Sequence, residues 1–404
     1  MSRRVSTGTG EAAYVAAAIG DGRGFADAFV PGQGPTAHLL PVTPLIAGGV
    51  YRVLGVYSGP SEAVLLVWSL TLVLACYMLV AKSFELLGSP RIAVLFGLLA
   101  TLLLPIYTSF EVFDFRVWEG GLGLLVAILP LFMVLTAEDG RRIPRLELWL
   151  AVLPALAFFI NPPLGLAAML MLAIWSLRHR REVRWGRIAI GTAITLVALI
   201  GPWTARNWLV MGEPIWLRDN VGLELAMGNF PQAVGDRPFN ELFDERLAAI
   251  HPRDNPEVFR RVQAAGGEAA YARLMGRETM RWMRGHPAET AQLWLKHARE
   301  MLFTRTWMFH TAHGVWMPVF RSTCITVLAL LALPGLAWGI GRDRRYLYLA
   351  PYLLVPWACY VPFQPVERYT WLIYPLLVFL ATDFMARLLR RAQADALDSS
   401  RVRQ

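Results

Sequence analysis

The sequence predicts an all-α polytopic membrane protein. Of its 404 residues, 55% are hydrophobic and only 17% are charged, against about 25% charged in a soluble domain. Mean hydropathy is +0.42. Apolar runs near the roughly 20 residues needed to cross a bilayer recur along the chain. An ordinary cytosolic enzyme is excluded on these grounds.

The elements follow in order. Residues 1–61 form a first segment too polar to span, and 1–38 contain no long hydrophobic stretch, so a basic start followed by an apolar signal core is not seen. Within it, 39–57 carries Pro41, Pro44 and Arg52 among apolar residues and reads as an amphipathic helix lying in the interface. Residues 62–208 hold six spans, at 62–84, 92–110, 118–137, 146–160, 163–178 and 187–208. Pro144, the Asn161-Pro162-Pro163 break and Pro202 mark ends or kinks, because proline lacks the amide donor and clashes with the preceding turn. Residues 209–315 are too polar to span. Asn255-Pro256 supplies a cap and a first-turn proline for a surface helix ending near Gly285, and Pro287 opens another. Residues 316–388 hold three further spans, at 316–340, 345–362 and 369–388, and 389–404 is a tail.

Charge sets the orientation. The net charge of +9 sits largely in short loops around 82–91, 137–145, 178–187 and 341–345 and in the tail after 386. The opposite short loops hold only Arg116 and Arg368. That asymmetry places the basic loops and the C-terminus in the cytoplasm, and it accounts for the high pI without a nucleic-acid partner. Nine spans then leave Met1 outside with no signal to carry it there. A tenth span at 39–57 or a missing upstream helix resolves the parity, and a truncated start is the preferred reading. Cys76, Cys324 and Cys359 all fall in apolar runs, so neither a disulfide framework nor a zinc site is indicated.

Several stretches carry a resemblance. They are Gly22-Arg23-Gly24-Phe25-Ala26-Asp27, then Gly34-Pro35-Thr36-Ala37-His38 and the run from Pro41 to Gly55. Asn161-Pro162, Pro202-Trp203-Thr204-Ala205-Arg206-Asn207, and Arg218 to Leu225 with Gly228-Asn229 continue it. His251-Pro252 and Glu367-Arg368-Tyr369 complete it. In that order the chain resembles bacterial membrane glycosyltransferases of family 39 and their relatives with the C-type (GT-C) transferase fold. The resemblance implies a transmembrane helix bundle with interfacial helices and an extracytoplasmic cap, in a bacterial inner membrane. It also implies a polyprenyl-phosphate sugar donor used on the outer face. An acidic residue of the first outer loop would activate the acceptor, and basic residues at the membrane surface would hold the donor phosphate. Glu11 matches the family's glutamate; where relatives place aspartate before it, this chain has Gly10.

Glycosyl transfer needs a base for the acceptor hydroxyl, which a positioned carboxylate supplies. Glu11 is the first candidate; an acid favoured by a helix N-terminus is the plainer reading of it. Asp27 is the other acid of that loop, with a turn-forming role as the alternative. His38 suits phosphate or acceptor, or a structural hydrogen bond. For the donor phosphate, arginine's planar fork fits best. Arg368 leads, set against a structural pair with Glu367. Arg206 could instead be snorkelling to the interface. Arg218 and Tyr369 complete the donor-binding set. Glu119, Asp219, Asn220 and Glu224 are further candidates, and Asp114 with Arg116 reads as a surface pair. No carboxylate–histidine run has metal-ligand spacing and no Walker-type loop is present, so no cofactor is indicated and a metal requirement stays open. Membrane lipids are the other expected partners, and sugar and acceptor are not readable. A lipid-linked-intermediate transporter and a catalytically degenerate family member are the alternatives. The first lacks a second-half counterpart of the 161–163 break; the second is supported by Gly10.

Overall fold

The computed structural model describes residues 10–107, 110–235, 239–253, 255–309 and 316–402. Among these residues there is no β-strand; one isolated antiparallel bridge joins Ala26 and Pro35. The first segment forms α1 (Gly10–Gly20) and α2 (Val42–Leu54). The first membrane block is α3 (Gly59–Leu86), α4 (Arg91–Leu103), α5 (Phe110–Asp114), α6 (Gly120–Glu138), α7 (Leu146–Ile160), α8 (Pro162–Arg178) and α9 (Trp185–Met211). A polar cap follows, with α10 (Val221–Gly228), α11 (Phe239–Ile250), α12 (Pro256–Ala264), α13 (Glu268–Gly285) and α14 (Pro287–Leu302). The chain closes with α15 (Trp316–Arg342), α16 (Ala350–Tyr360), α17 (Glu367–Trp371) and α18 (Tyr374–Val402).

Helices α3, α6, α9 and α15 are long and apolar enough to cross a membrane, which makes this a multi-pass membrane protein. Each of the nine apolar runs is largely helical, and the differences lie at breaks. The run 92–110 stops being helical at Leu103, because Leu104 is pulled into an extended conformation (φ −73°, ψ 121°) ahead of Pro105. At the 161–163 break, Asn161 leaves the helix (φ −145°, ψ 102°) and its side chain accepts from the Leu164 amide, capping α8 while Pro162 fills the first turn. The last run divides into short α17 and a 29-residue α18, which continues without interruption through the expected tail. Helix α2 has 13 residues, about 20 Å at 1.5 Å per residue, which is too short for a tenth span.

In the cap, Asn255 receives the Glu257 and Val258 amides and starts α12 as its sequence requires. The single helix expected up to Gly285 is two helices. Gly266 and Gly267 break it with φ of 95° and 110°, a region that only glycine enters readily. Helix α13 then packs on α10 so closely that a Cβ on Gly222 would lie 2.0 Å from the Ala272 carbonyl oxygen. That backbone-to-backbone contact fixes the segment 218–220 just ahead of α10.

Replacing Gly222 with valine should therefore force α10 off α13 and destabilise the cap by about 1–3 kcal/mol. Gly186→Ala, where an added methyl meets no atom within 4 Å, should leave thermal unfolding in lipid unchanged. Equal melting temperatures for both variants would refute the packing account.

Candidate active site

Three side chains from distant parts of the chain converge. Glu11 opens α1, His38 ends the first loop, and His251 follows α11; one ligand atom from each lies within 4.8 Å of the others, and all three residues are buried. His251 Nε2 is 3.5 Å from Glu11 Oε1, and Arg253 Nη1 is 3.4 Å from the same oxygen. The Arg253 amide donates to His251 Nδ1 at 3.3 Å, so that nitrogen is the acceptor and Nε2 carries the proton that faces Glu11. Phe29 packs edge-on against both imidazoles.

Electrostatics fix the protonation states. Burial alone would raise the Glu11 carboxyl, but His251, Arg253 and His38 around it bring it down to about 2. Burial pushes the His38 imidazole down to about 3, assisted by the positive charge of Arg218 and Arg368 and opposed by Glu11. At neutral pH the centre is thus a carboxylate beside a neutral histidine. Glu11 and His38 are in the states that metal ligation requires, whereas His251 would have to release its Nε2 proton and the Arg253 amide to join them; a carboxylate with two imidazoles suits zinc or manganese. A cation held by Glu11, His38 and His251 would add positive charge where a phosphate or hydroxyl approaches.

Of the predicted residues, Arg368 meets this centre most directly. Its guanidinium carbon lies 4.2 Å from the centroid of the Trp118 ring. Burial would lower its pKa, yet Tyr369, Glu11 and Glu224 hold it above the ordinary arginine range. Among the described residues no carboxylate lies within ion-pair distance of it. The expected Glu367 partner turns instead to Arg321, 3.8 Å away. Burial, with Asp114 nearby, pushes Glu367 up to about 8, so it stays largely protonated at neutral pH and does not neutralise Arg368. Tyr369 stacks on Tyr360 with centroids 4.1 Å apart. Arg218 is ion-paired with Glu119, and Asn220 donates to Glu224 at 3.3 Å.

Other candidates serve the loop that carries His38. Arg206 donates to the carbonyl oxygens of Thr36 (2.7 Å) and Phe25 (2.6 Å). Two of its donors are thus spent on backbone and a third on Asn207. Asp27 accepts from the Gly34 amide at 3.0 Å and is ion-paired with Arg23, at a left-handed φ of 64°. Its carboxylate is committed to the turn. Glu268, at the start of α13, accepts from Thr36 Oγ1 (2.8 Å), the Ala37 amide (2.6 Å) and Gln33 Nε2 (2.6 Å). Burial raises both Glu268 and Asp219, and the repulsion of Glu268 adds to the rise at Asp219. Arg116 pairs with Glu62, not with Asp114. Sequence reasoning noted His251-Pro252 only as part of the resemblance, gave His251 no role and passed over Arg253; the pair follows the charged helix α11, and only folding brings it to Glu11.

No protein-family model matches the sequence, and no curated protein matches it. A solved structure of the archaeal oligosaccharyltransferase AglB from Archaeoglobus fulgidus, in complex with an inhibitory peptide and a dolichol-phosphate, is similar with a TM-score of 0.48 and 12% identity. The match covers 96% of this chain and 47% of that one, so the chain spans about half the length of the structure it resembles. At that distance the likeness says nothing about substrate.

Two outcomes are expected. Because His38 titrates near 3 in the fold and near 6.5 when unfolded, the unfolded chain binds the extra proton between those values. Stability is therefore full above pH 6.5 and falls as pH drops, by up to about 2 kcal/mol between pH 7 and 5. His38→Gln should flatten that part of the profile in chemical unfolding. Separately, Zn²⁺ or Mn²⁺ should raise the melting temperature of the parent but not of His251→Gln; an equal rise in both would dismiss the centre as a cation site.

Proposed function

We propose that the protein is a membrane glycosyltransferase that moves a hexosyl or pentosyl group from a polyprenyl-phosphate donor to an acceptor on the extracytoplasmic face. The observation that carries this reading is Arg368, a charged guanidinium over Trp118 with no carboxylate within ion-pair distance among the described residues, near an ionised Glu11. Glu11 and Glu224 favour the Arg368 charge without pairing with it directly, which leaves guanidinium donors for a phosphate to meet. The order of family-like segments along the chain supports the same reading, as does the positive-inside bias that leaves Arg368 unexplained.

The chemistry follows from these groups. The donor phosphate would rest on Arg368, with Arg218 as the second cation and the Tyr360–Tyr369 stack beside it. The acceptor oxygen bonds to the anomeric carbon while the bond from that carbon to the phosphate oxygen breaks, and the phosphate leaves with the electron pair. A carboxylate near 2 is a weak base for an intact alcohol. The hydroxyl becomes strongly acidic only as its oxygen bonds to carbon, so Glu11 suits a late proton transfer. Neutral His38 stands beside it to take the proton onward. Asp27 and Arg206 have no part in this scheme beyond shaping the loop. In this arrangement the basic loops and the C-terminus lie in the cytoplasm of a bacterial inner membrane.

The test is a lipid-reconstituted sample offered a panel of polyprenyl-phosphate sugars. Glu11→Gln should bind donor like the parent but lose about 10²–10⁴ in kcat. Arg368→Ala should weaken donor binding by about 10–100-fold while the protein still inserts. Transfer at the parental rate by Glu11→Gln would remove the proposed base, and transport of lipid-linked sugar without covalent transfer would favour a transporter.

A further inference from the structure

At the end of the bundle opposite Asn161, the start of α7, the end of α8 and the approach to α9 line an open cleft of about 400 Å³. Arg145, Leu146, Glu147, Trp175, Glu182 and Val183 line it. Arg145 holds a left-handed conformation at φ 56°, with no side-chain hydrogen bond at that cap. A β-carbon makes this conformation uncommon, so the turn at the cleft mouth is held by its surroundings. Among the described residues, the side chains of Arg145, Glu147 and Glu182 have no ion-pair or hydrogen-bond partner. Trp175 forms a buried wall, and its Nε1–H has no acceptor. An unpaired buried donor is unfavourable unless something supplies an oxygen.

The surroundings identify the medium. Leu148, Trp149, Leu177 and Trp185 are exposed around the cleft, and tryptophans beside a basic loop mark the headgroup level of a bilayer. The lining is amphoteric, with one guanidinium and one indole N–H on the donor side and two carboxylates on the acceptor side. Leu146 and Val183 offer apolar surface between them. An anionic lipid would meet Arg145 but face two carboxylates. A quaternary ammonium has no proton to donate to them. A headgroup that carries phosphate and a primary ammonium a few ångströms apart satisfies every group present.

We propose that this cleft binds a phospholipid with a primary-ammonium headgroup, of the phosphatidylethanolamine type, in the leaflet that faces the basic loops. The phosphate accepts from Arg145, with the Trp175 N–H as a second donor after a small indole shift, and the ammonium donates to Glu147 and Glu182. This site is separate from the Glu11 centre and does not depend on the proposed sugar transfer.

The test is native mass spectrometry of the purified protein after equilibration with equal amounts of phosphatidylethanolamine, phosphatidylcholine and phosphatidylglycerol of matched chains. Phosphatidylethanolamine should be retained about fivefold over either competitor. The Glu147→Gln/Glu182→Gln variant should lose the preference over phosphatidylcholine while still retaining phospholipid, and Arg145→Gln should weaken retention of all three. If the double variant does not insert, Glu182→Gln alone, on an exposed loop, should at least halve the preference. Equal retention of the three lipids by the parent, or unchanged selectivity in the glutamine variants, would overturn the proposal.

Discussion

The carboxylate of Glu268 holds together two parts of the chain that otherwise have little reason to meet. It takes three hydrogen bonds from the stretch Gln33–Ala37, and the Asp219 amide donates to the Ala37 carbonyl beside it. From the membrane side, Arg206 grips the carbonyls of the same loop. The loop is pinned from above and below, and His38 emerges from it at a fixed place. Without the clasp, α1 and its Glu11 would have no defined relation to His251, because each belongs to a different layer.

The membrane helices were legible because their cause is local. Apolar length and proline positions each act over a few residues, and the structure returns helix over most of every predicted run, with four helices long and apolar enough to cross a membrane. The misplaced boundaries share one physical origin. Leu104 and the Gly266-Gly267 pair change backbone direction through a single residue's conformation, which periodicity averages away. The continuous α18 shows the reverse case, in which a basic, alanine-containing tail keeps helical propensity beyond the apolar window.

The candidate site was legible in part for a different reason. Arg368 stood out as a basic residue that the positive-inside bias does not explain, while Glu11 and His38 drew attention mainly through the resemblance. Their association was not visible, since no spacing in the sequence links the three segments. Residues such as Arg206 and Asp27 looked equally suggestive, and their hydrogen bonds show why they did. An arginine that satisfies backbone carbonyls and an aspartate that locks a turn are as constrained in identity as groups that touch a ligand. The deciding information is which donors and acceptors are already used.

The clasp also has a consequence for how the molecule is made. Thr36 and Glu268 are 232 positions apart. At roughly 5–20 residues per second of synthesis, the first loop waits on the order of 10–50 s for its partner to appear. During that interval most of the membrane helices have emerged, while the loop that carries His38 is ordered by its own turn bonds and by Arg206 but lacks its anchor to the cap. Completion of the centre is thus a late event in biogenesis, postponed until the cap has emerged and closed over a bundle that is already largely in place.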